Sequence, residues 1–199
     1  MNKKINISII GTRGYPYVYS GYETFVKQLS ERLVLKDCNV TVYCHKGLFE
    51  IRPKEIKGIK LVYVPTIETK ILSQPIHSFL SIIHACFSNT DVLLVVNSAN
   101  GPFGLLTKLF KVPTAINVDG LEWLRPKWKG LGSIYFKWAS KMATLFYDQI
   151  INDSDEMRKV YLDLFKRDSK VIAYGADIRK SKSPDLINKW DIKKRESVI

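Results

Sequence analysis

Short apolar runs alternate along this chain with stretches whose apolar residues recur every three or four positions, and this alternation narrows the possible folds more than any other feature. Ile5–Ile10 is a short apolar run ending on Gly11, the pattern of a buried parallel strand. From Gly21 to Lys36, the residues Tyr22, Phe25, Val26, Leu29, Leu33 and Leu35 recur at near-helical spacing. Asn39–Cys44 and Lys60–Val64 then read as strands, and Ser73–Phe87 as a helix with Ile76, Phe79, Leu80, Ile83 and Phe87 inward. Strands at Asp91–Val96 and Pro113–Val118 flank a short helical stretch from Phe103 to Phe110. Leu131–Phe146 is a longer helix, with Leu131, Ile134, Tyr135, Trp138, Met142 and Leu145 forming its expected core stripe. Strand Gln149–Ile151 follows, and Asn152-Asp153-Ser154 supplies N-cap chemistry for a helix through Phe165. Lys170–Ala173 is the last strand.

Strands and helices in this order predict an α/β fold, a Rossmann-like parallel sheet with helices on both faces. Ligands in such folds gather at the carboxyl ends of the strands. The unusual residues sit at those ends: Gly11–Gly14, Asn97–Gly101, Asp119–Trp123 and Tyr174–Asp177. The 199 residues make about one domain, long enough to bury a core without a disulfide or metal staple. The basic start, Met-Asn-Lys-Lys, is followed by too short an apolar run for a signal peptide, so the protein is expected to be cytoplasmic.

Cys38, Cys44 and Cys86 are odd in number and show no Cys-x-x-Cys spacing. Cys44-His45 and His84-x-Cys86 match no common zinc pattern, so neither a metal nor a cofactor is expected. The charge says more. Lys and Arg total 31 against 19 Asp and Glu, a net +12 that attracts phosphate-bearing partners. Nucleic acid, anionic lipid and nucleotide-linked substrates all qualify on charge alone.

Gly11-Thr12-Arg13-Gly14, with Gly21 opening the following helix, suits close backbone approach to a phosphate at a helix N-terminus. The same glycines equally suit a tight packing turn, and neither a Gly-x-Gly-x-x-Gly nor a P-loop pattern is present. Arg13 is placed to pair with a phosphate or carboxylate, or else to lie solvated on the loop. Glu23 falls in the first helical turn, where the helix dipole stabilises a carboxylate whatever its function. In Asn117-Val118-Asp119-Gly120-Leu121-Glu122-Trp123, Asp119 and Glu122 are suited to accept hydrogen bonds from sugar hydroxyls, and Trp123 to lie under a pyranose ring. The alternative is an Asp-Gly turn beside a packed tryptophan. Arg125, Lys127, Trp128 and Lys129 mix basic and aromatic side chains as a membrane-contacting flank does, a mixture that also serves single-stranded nucleic acid.

Taken in order, Gly11-Thr12-Arg13-Gly14, Gly21-Tyr22-Glu23-Thr24-Phe25, Asn117 to Trp123, Asp153-Ser154 and Tyr174-Gly175-Ala176-Asp177 resemble the N-terminal domain of bacterial family 4 retaining glycosyltransferases, in particular the capsular-polysaccharide rhamnosyltransferase-like subgroup. The resemblance implies a GT-B half-domain over residues 1–180, with 181–199 a linker or the start of a missing donor-binding domain. It implies a lipid-diphosphate-linked sugar acceptor at the inner face of the plasma membrane and a nucleotide-sugar donor, dTDP-rhamnose in this subgroup, held by the second domain. Gly11, Thr12, Arg13, Gly14 and Gly21 would contact the donor phosphates. Asp119, Glu122, Trp123, Tyr174 and Gly175 would line the acceptor pocket, with Asp119 as the catalytic candidate. Arg125, Lys127, Trp128 and Lys129 would meet the anionic membrane. Ser20 stands where the family usually has a glycine, and no Glu-x7-Glu donor motif is present. The chain stops at Val198-Ile199, as if entering another strand, so an inactive split or truncated domain with a binding role is the alternative. Nucleic acid is not an expected partner, because Asp119 and Glu122 would repel its backbone from the same cleft.

Overall fold

A computed structural model describes residues 3–17, 20–67, 69, 72–118 and 120–175. Strand β1 (Asn6–Ile10) leads into helix α1 (Gly21–Leu35) and strand β2 (Asn39–His45). Strands β3 (Glu55–Ile56) and β4 (Ile59–Val64) precede helix α2 (Ser73–Cys86). Strand β5 (Val92–Val96), a 3-10 turn over Ser98–Phe103, helix α3 (Gly104–Leu109) and strand β6 (Thr114–Asn117) come next. Helix α4 (Leu131–Phe146), strand β7 (Gln149–Asn152), helix α5 (Asp155–Phe165) and strand β8 (Lys170–Val171) complete the described part. The tail at 181–199 lies outside the described residues.

The eight strands form one sheet in the order β3-β4-β2-β1-β5-β6-β7-β8. Every pairing is parallel except β3 with β4. That exception is a hairpin the apolar pattern does not reveal, because β3 is only two residues long. Its loop is Lys57-Gly58, both at positive φ (52° and 77°), as a two-residue turn between right-twisted strands requires. From β1 the chain winds outward through β2 and β4, then returns to β5 on the other side of β1 and continues to β8. The order therefore reverses between β1 and β5, where doubly wound sheets open a crevice at the carboxyl ends.

Strand residues alternate between two cores. Ile9, Val42, Ile59 and Val96 pack with Val26 of α1 on one face. Ile10, Tyr43, Val95 and Ile116 pack on the other face with Ile82 of α2, Phe136 of α4 and Tyr161 of α5. Each fully buried aliphatic side chain contributes roughly 1.5–3 kcal/mol, and both faces carry them, so the parallel sheet follows from the apolar runs. Ser154 caps α5 as expected, its hydroxyl accepting from the Met157 amide at 3.4 Å.

Two helices differ from expectation in the face they bury. In α2 the inward residues are His77, Ser78, Ser81, Ile82 and Ala85, while Phe79, Leu80 and Phe87 are exposed. In α4 the inward residues are Phe136, Ala139, Ser140, Ala143 and Thr144. Leu131, Ile134, Tyr135, Trp138 and Leu145 of the expected core stripe face solvent instead. For α4 the cause is close approach. A Cβ on Gly101 would stand 1.9 Å from the Ala139 carbonyl oxygen, so the 98–103 turn lies directly on the α4 backbone. Only small side chains fit under such a contact.

Candidate functional site

The loop after β1 is held between the ends of its two neighbours. Gly11 has φ +109°, and a Cβ there would meet the Val96 carbonyl oxygen of β5 at 2.2 Å. Gly14 has φ +128°, and its Cβ would stand 2.8 Å from the Cys44 sulfur of β2. Both glycines are thus required by packing, independently of any ligand. Between them, Thr12 is buried and its hydroxyl makes no hydrogen bond. The half-buried Arg13 accepts from the His45 amide through its carbonyl at 3.0 Å. Gly21 is exposed at the start of α1. Glu23 does more than face the helix dipole. Its buried carboxylate accepts from the Arg13 amide at 3.2 Å and from the Ser20 hydroxyl, tying the loop to the first turn of α1.

His45, at the carboxyl end of β2, is a rim residue considered from sequence only as a zinc ligand. Its ring stacks on His77 of α2, centroids 3.8 Å apart and planes 22° from parallel. Its Nδ1 lies 3.4 Å from the Ser73 hydroxyl. Burial pushes His45 down to about 4, and the neighbouring Arg13 charge works in the same direction. Burial together with His45 pushes His77 down to about 3. Both rings are therefore neutral near pH 7. His45 Nε2 and His77 Nδ1 are buried without a hydrogen bond.

On the other side of the reversal point, Asn97 follows β5 at φ +79° and its side chain accepts from the Ala99 amide at 2.9 Å. Asn117 ends β6, and its Oδ1 accepts from the Tyr174 hydroxyl at 3.0 Å. The Tyr174 ring meets Phe25 of α1 edge-on, with centroids 5.1 Å apart. Tyr174 thus carries the segment after β8 back across the rim to the helix that follows β1, and Gly175 lies exposed beside it. Asp119, the catalytic candidate, lies outside the described residues, as do Ala176 and Asp177.

The segment after β6 differs from expectation. Glu122 is buried, and its carboxylate takes Arg125 Nε at 3.0 Å, Lys127 Nζ at 3.7 Å and Trp128 Nε1 at 2.9 Å. Its oxygens are already occupied by three donors of the same chain, so it is not the open acceptor expected for sugar hydroxyls. Trp123 is only 8% exposed and packs against Tyr161 and Phe165 at 6.4 and 6.1 Å. No ring face is left for a pyranose, and the packed-tryptophan reading holds for this residue. Arg125, Lys127 and Lys129 reach solvent, and Trp128 lies tilted on Phe136 of α4 at 4.7 Å.

Glycine loop, Asn97, Asn117 and Tyr174 lie on one edge of one sheet, with the reversal point between the first two. The profile of a family described as a domain of unknown function (DUF1972) matches residues 4–177. The chain belongs to that family. No curated protein matches it. Among solved structures, the DUF1972 domain is similar to sucrose-phosphate synthase from Thermosynechococcus elongatus, with TM-score 0.70 and 14% identity, covering 96% of this chain and 53% of that one. It is also similar to UGT89C1 of Arabidopsis thaliana, solved with UDP-L-rhamnose, at TM-score 0.51, 13% identity, and 96% and 55% coverage. Phytolacca americana UGT2, solved with UDP-2fluoro-glucose and pterostilbene, gives TM-score 0.54, 10% identity, and 98% and 58% coverage. At these identities the likeness establishes the fold, a Rossmann-like GT-B half-domain. The chain spans little more than half the length of these proteins.

Chemically, the described residues of the rim carry neutral hydrogen-bonding groups, the Arg13 guanidinium and the Glu23 carboxylate that holds the loop. Among the described residues, no group of three or more His, Cys, Asp or Glu side chains is placed to hold a metal ion. Asn and Tyr side chains suit the hydroxyls of a sugar, and Arg13 suits an anion.

Proposed function

We propose that this DUF1972 domain is the acceptor-side half of a retaining glycosyltransferase that moves a sugar from a nucleotide-sugar to a lipid-diphosphate-linked glycan in cell-surface polysaccharide synthesis. The observation that carries the reading is the convergence of the Gly11–Gly14 loop, Asn117 and Tyr174 on one carboxyl rim, beside the point where strand order reverses. Glycosyltransferase-like neighbours that are about twice as long supply the second support.

In this reading the glycine loop and the α1 N-terminus face the donor diphosphate, with Arg13 the cation nearest it. Tyr174, Asn117 and Asp119 surround the acceptor sugar, and Asp119 is the group nearest the attacking hydroxyl. The donor, dTDP-rhamnose, is gripped by a second domain across the cleft. The acceptor's lipid tail keeps the protein at the inner face of the plasma membrane. Electrostatic stabilisation of the leaving diphosphate needs both halves, so this domain binds acceptor but turns over little by itself.

The test is a calorimetric titration of the chain with a short-chain, water-soluble sugar-diphosphate-lipid analogue. Binding is expected, with Tyr174→Phe weakening it roughly threefold to tenfold, the worth of one neutral hydrogen bond. Arg13→Ala, on the donor side, is expected to change it little. No binding, or binding indifferent to Tyr174→Phe, sinks the proposal.

A further inference from the structure

The helix layer over the Ile10 face of the sheet presents its large apolar side chains outward. Phe79 and Leu80 of α2 and Phe87 just beyond its end are exposed, as are Leu131, Ile134 and Trp138 of α4, with Leu131 at 84% and Phe87 at 73%. The outward residues Leu131, Ile134, Trp138, Lys141 and Leu145 fall every three or four positions, so they form one stripe along α4. Ring contacts join the helices. Phe79 meets Phe103 at 6.1 Å, Phe87 meets Phe110 at 4.9 Å, and Tyr135, 5.9 Å from Trp138, donates to the Ala99 carbonyl at 2.9 Å. The result is a continuous apolar surface across α2, α3 and α4 that no described residue covers. Isolated exposed leucines need no explanation, but a contiguous apolar face does.

The charge on this face is one-sided. Segments 73–86, 98–109 and 131–146 contain no aspartate or glutamate, and they carry Lys108, Lys137 and Lys141. By contrast α1 contains Glu23 and Glu31, and α5 contains Asp155, Glu156 and Asp163. Lys137 and Lys141 stand on either side of Trp138 along the helix, and their long stems can lie on the apolar surface while the ammonium groups reach outward. Lys127, 5.3 Å over the Trp128 ring, extends the basic edge at the start of α4. Among the described residues, no helix is long and apolar enough to cross a membrane.

We infer that the outer face of α2, α3 and α4 is the surface on which this domain rests against an anionic lipid bilayer. Indole, phenyl and leucyl groups enter the headgroup–acyl boundary, and the lysines pair with lipid phosphates. Charge complementarity selects this occupant over a second copy of the chain, which would press two cationic, acid-free faces together. The inference rests on the glycosyltransferase reading and deepens it. α2 and α4 both start at the carboxyl rim, where Ser73 meets His45 and Ser133 donates to the Trp123 carbonyl. A domain lying on this face therefore holds its crevice beside the bilayer surface, within reach of a lipid-linked sugar.

Co-sedimentation of the 199-residue chain with phosphatidylcholine vesicles, with and without phosphatidylglycerol, tests it. Binding is expected only to the anionic vesicles and should weaken as salt rises. Each lysine at the surface is worth roughly fivefold, so Lys137→Gln with Lys141→Gln should weaken binding about 25-fold. Ile134→Ser with Trp138→Ser should abolish it while the far-UV circular dichroism stays that of the folded chain. Arg32→Gln with Lys36→Gln on α1 removes the same charge elsewhere and should have little effect. Equal loss from the α1 pair would mean attraction by net charge alone and would overturn the assignment. So would absence of vesicle binding together with a Trp138-dependent dimer in sedimentation equilibrium. Since the vesicles carry no sugar, failure here leaves the glycosyltransferase reading to be tested separately by the water-soluble acceptor titration.

Discussion

Acidification to pH 5 should destabilise this protein well before its carboxylates titrate, and the stacked pair His45 and His77 is the reason. Both rings are buried and neutral in the fold, held at about 4 and about 3 respectively. In the unfolded chain each returns to about 6.5. Between pH 6.5 and 4 the unfolded chain therefore takes up protons that the folded protein refuses. The contribution to stability is complete above pH 6.5 and is lost as pH falls through that window. At pH 5 the unfolded chain holds each ring protonated about 30-fold over neutral while the fold keeps it neutral, so each ring costs about 2 kcal/mol and the pair about 4 kcal/mol. Against a typical stability of about 5–15 kcal/mol, that is a large fraction. Asp91 and Glu31 are held below the usual carboxylate range by hydrogen bonds, and Asp168 sits at about 2, so their losses come at lower pH. Urea unfolding followed by circular dichroism at pH 7.5 and 5 measures the difference. His77→Gln cannot titrate and should remove about half of the pH dependence, whatever its effect on absolute stability. A flat stability between pH 6.5 and 5, or an unaltered slope in His77→Gln, would refute the burial argument.

Two further substitutions probe the rim. Gly11→Ala should cost about 3 kcal/mol in urea unfolding, because an L residue is strained at φ +109° and its Cβ would meet the Val96 carbonyl; a loss below about 1 kcal/mol would mean the loop shifts freely. Glu122→Gln should cost about 2 kcal/mol by weakening the hold on Arg125, Lys127 and the Trp128 indole. Trp128 fluorescence should shift red as that ring loosens from Phe136, and unchanged emission with unchanged stability would contradict the assigned network.

The alternation of apolar runs was enough to place nearly every strand and helix, because a strand buried on both faces must be apolar throughout. It also placed the carboxyl-end segments on one rim, since parallel strands leave no other arrangement. Gly11 and Gly14 were legible as special residues, although the sequence could not separate a ligand from a close neighbour as the reason. The orientation of α2 and α4 was not legible. A periodicity of large apolar residues marks an amphipathic face without saying which surface it meets. In α4, Gly101 pressed on Ala139 selected the small residues for the inside and left the large ones outside. Trp123 and Glu122 misled for a related reason: an indole and a carboxylate at a strand end suit a sugar pocket, but Phe165, Tyr161, Arg125 and Trp128 reach them only once the chain is folded. Local sequence thus determined which elements form and the edge on which they end. Distances between segments far apart in the chain decided which side chains stay available, because packing is settled by approach and volume rather than by residue type.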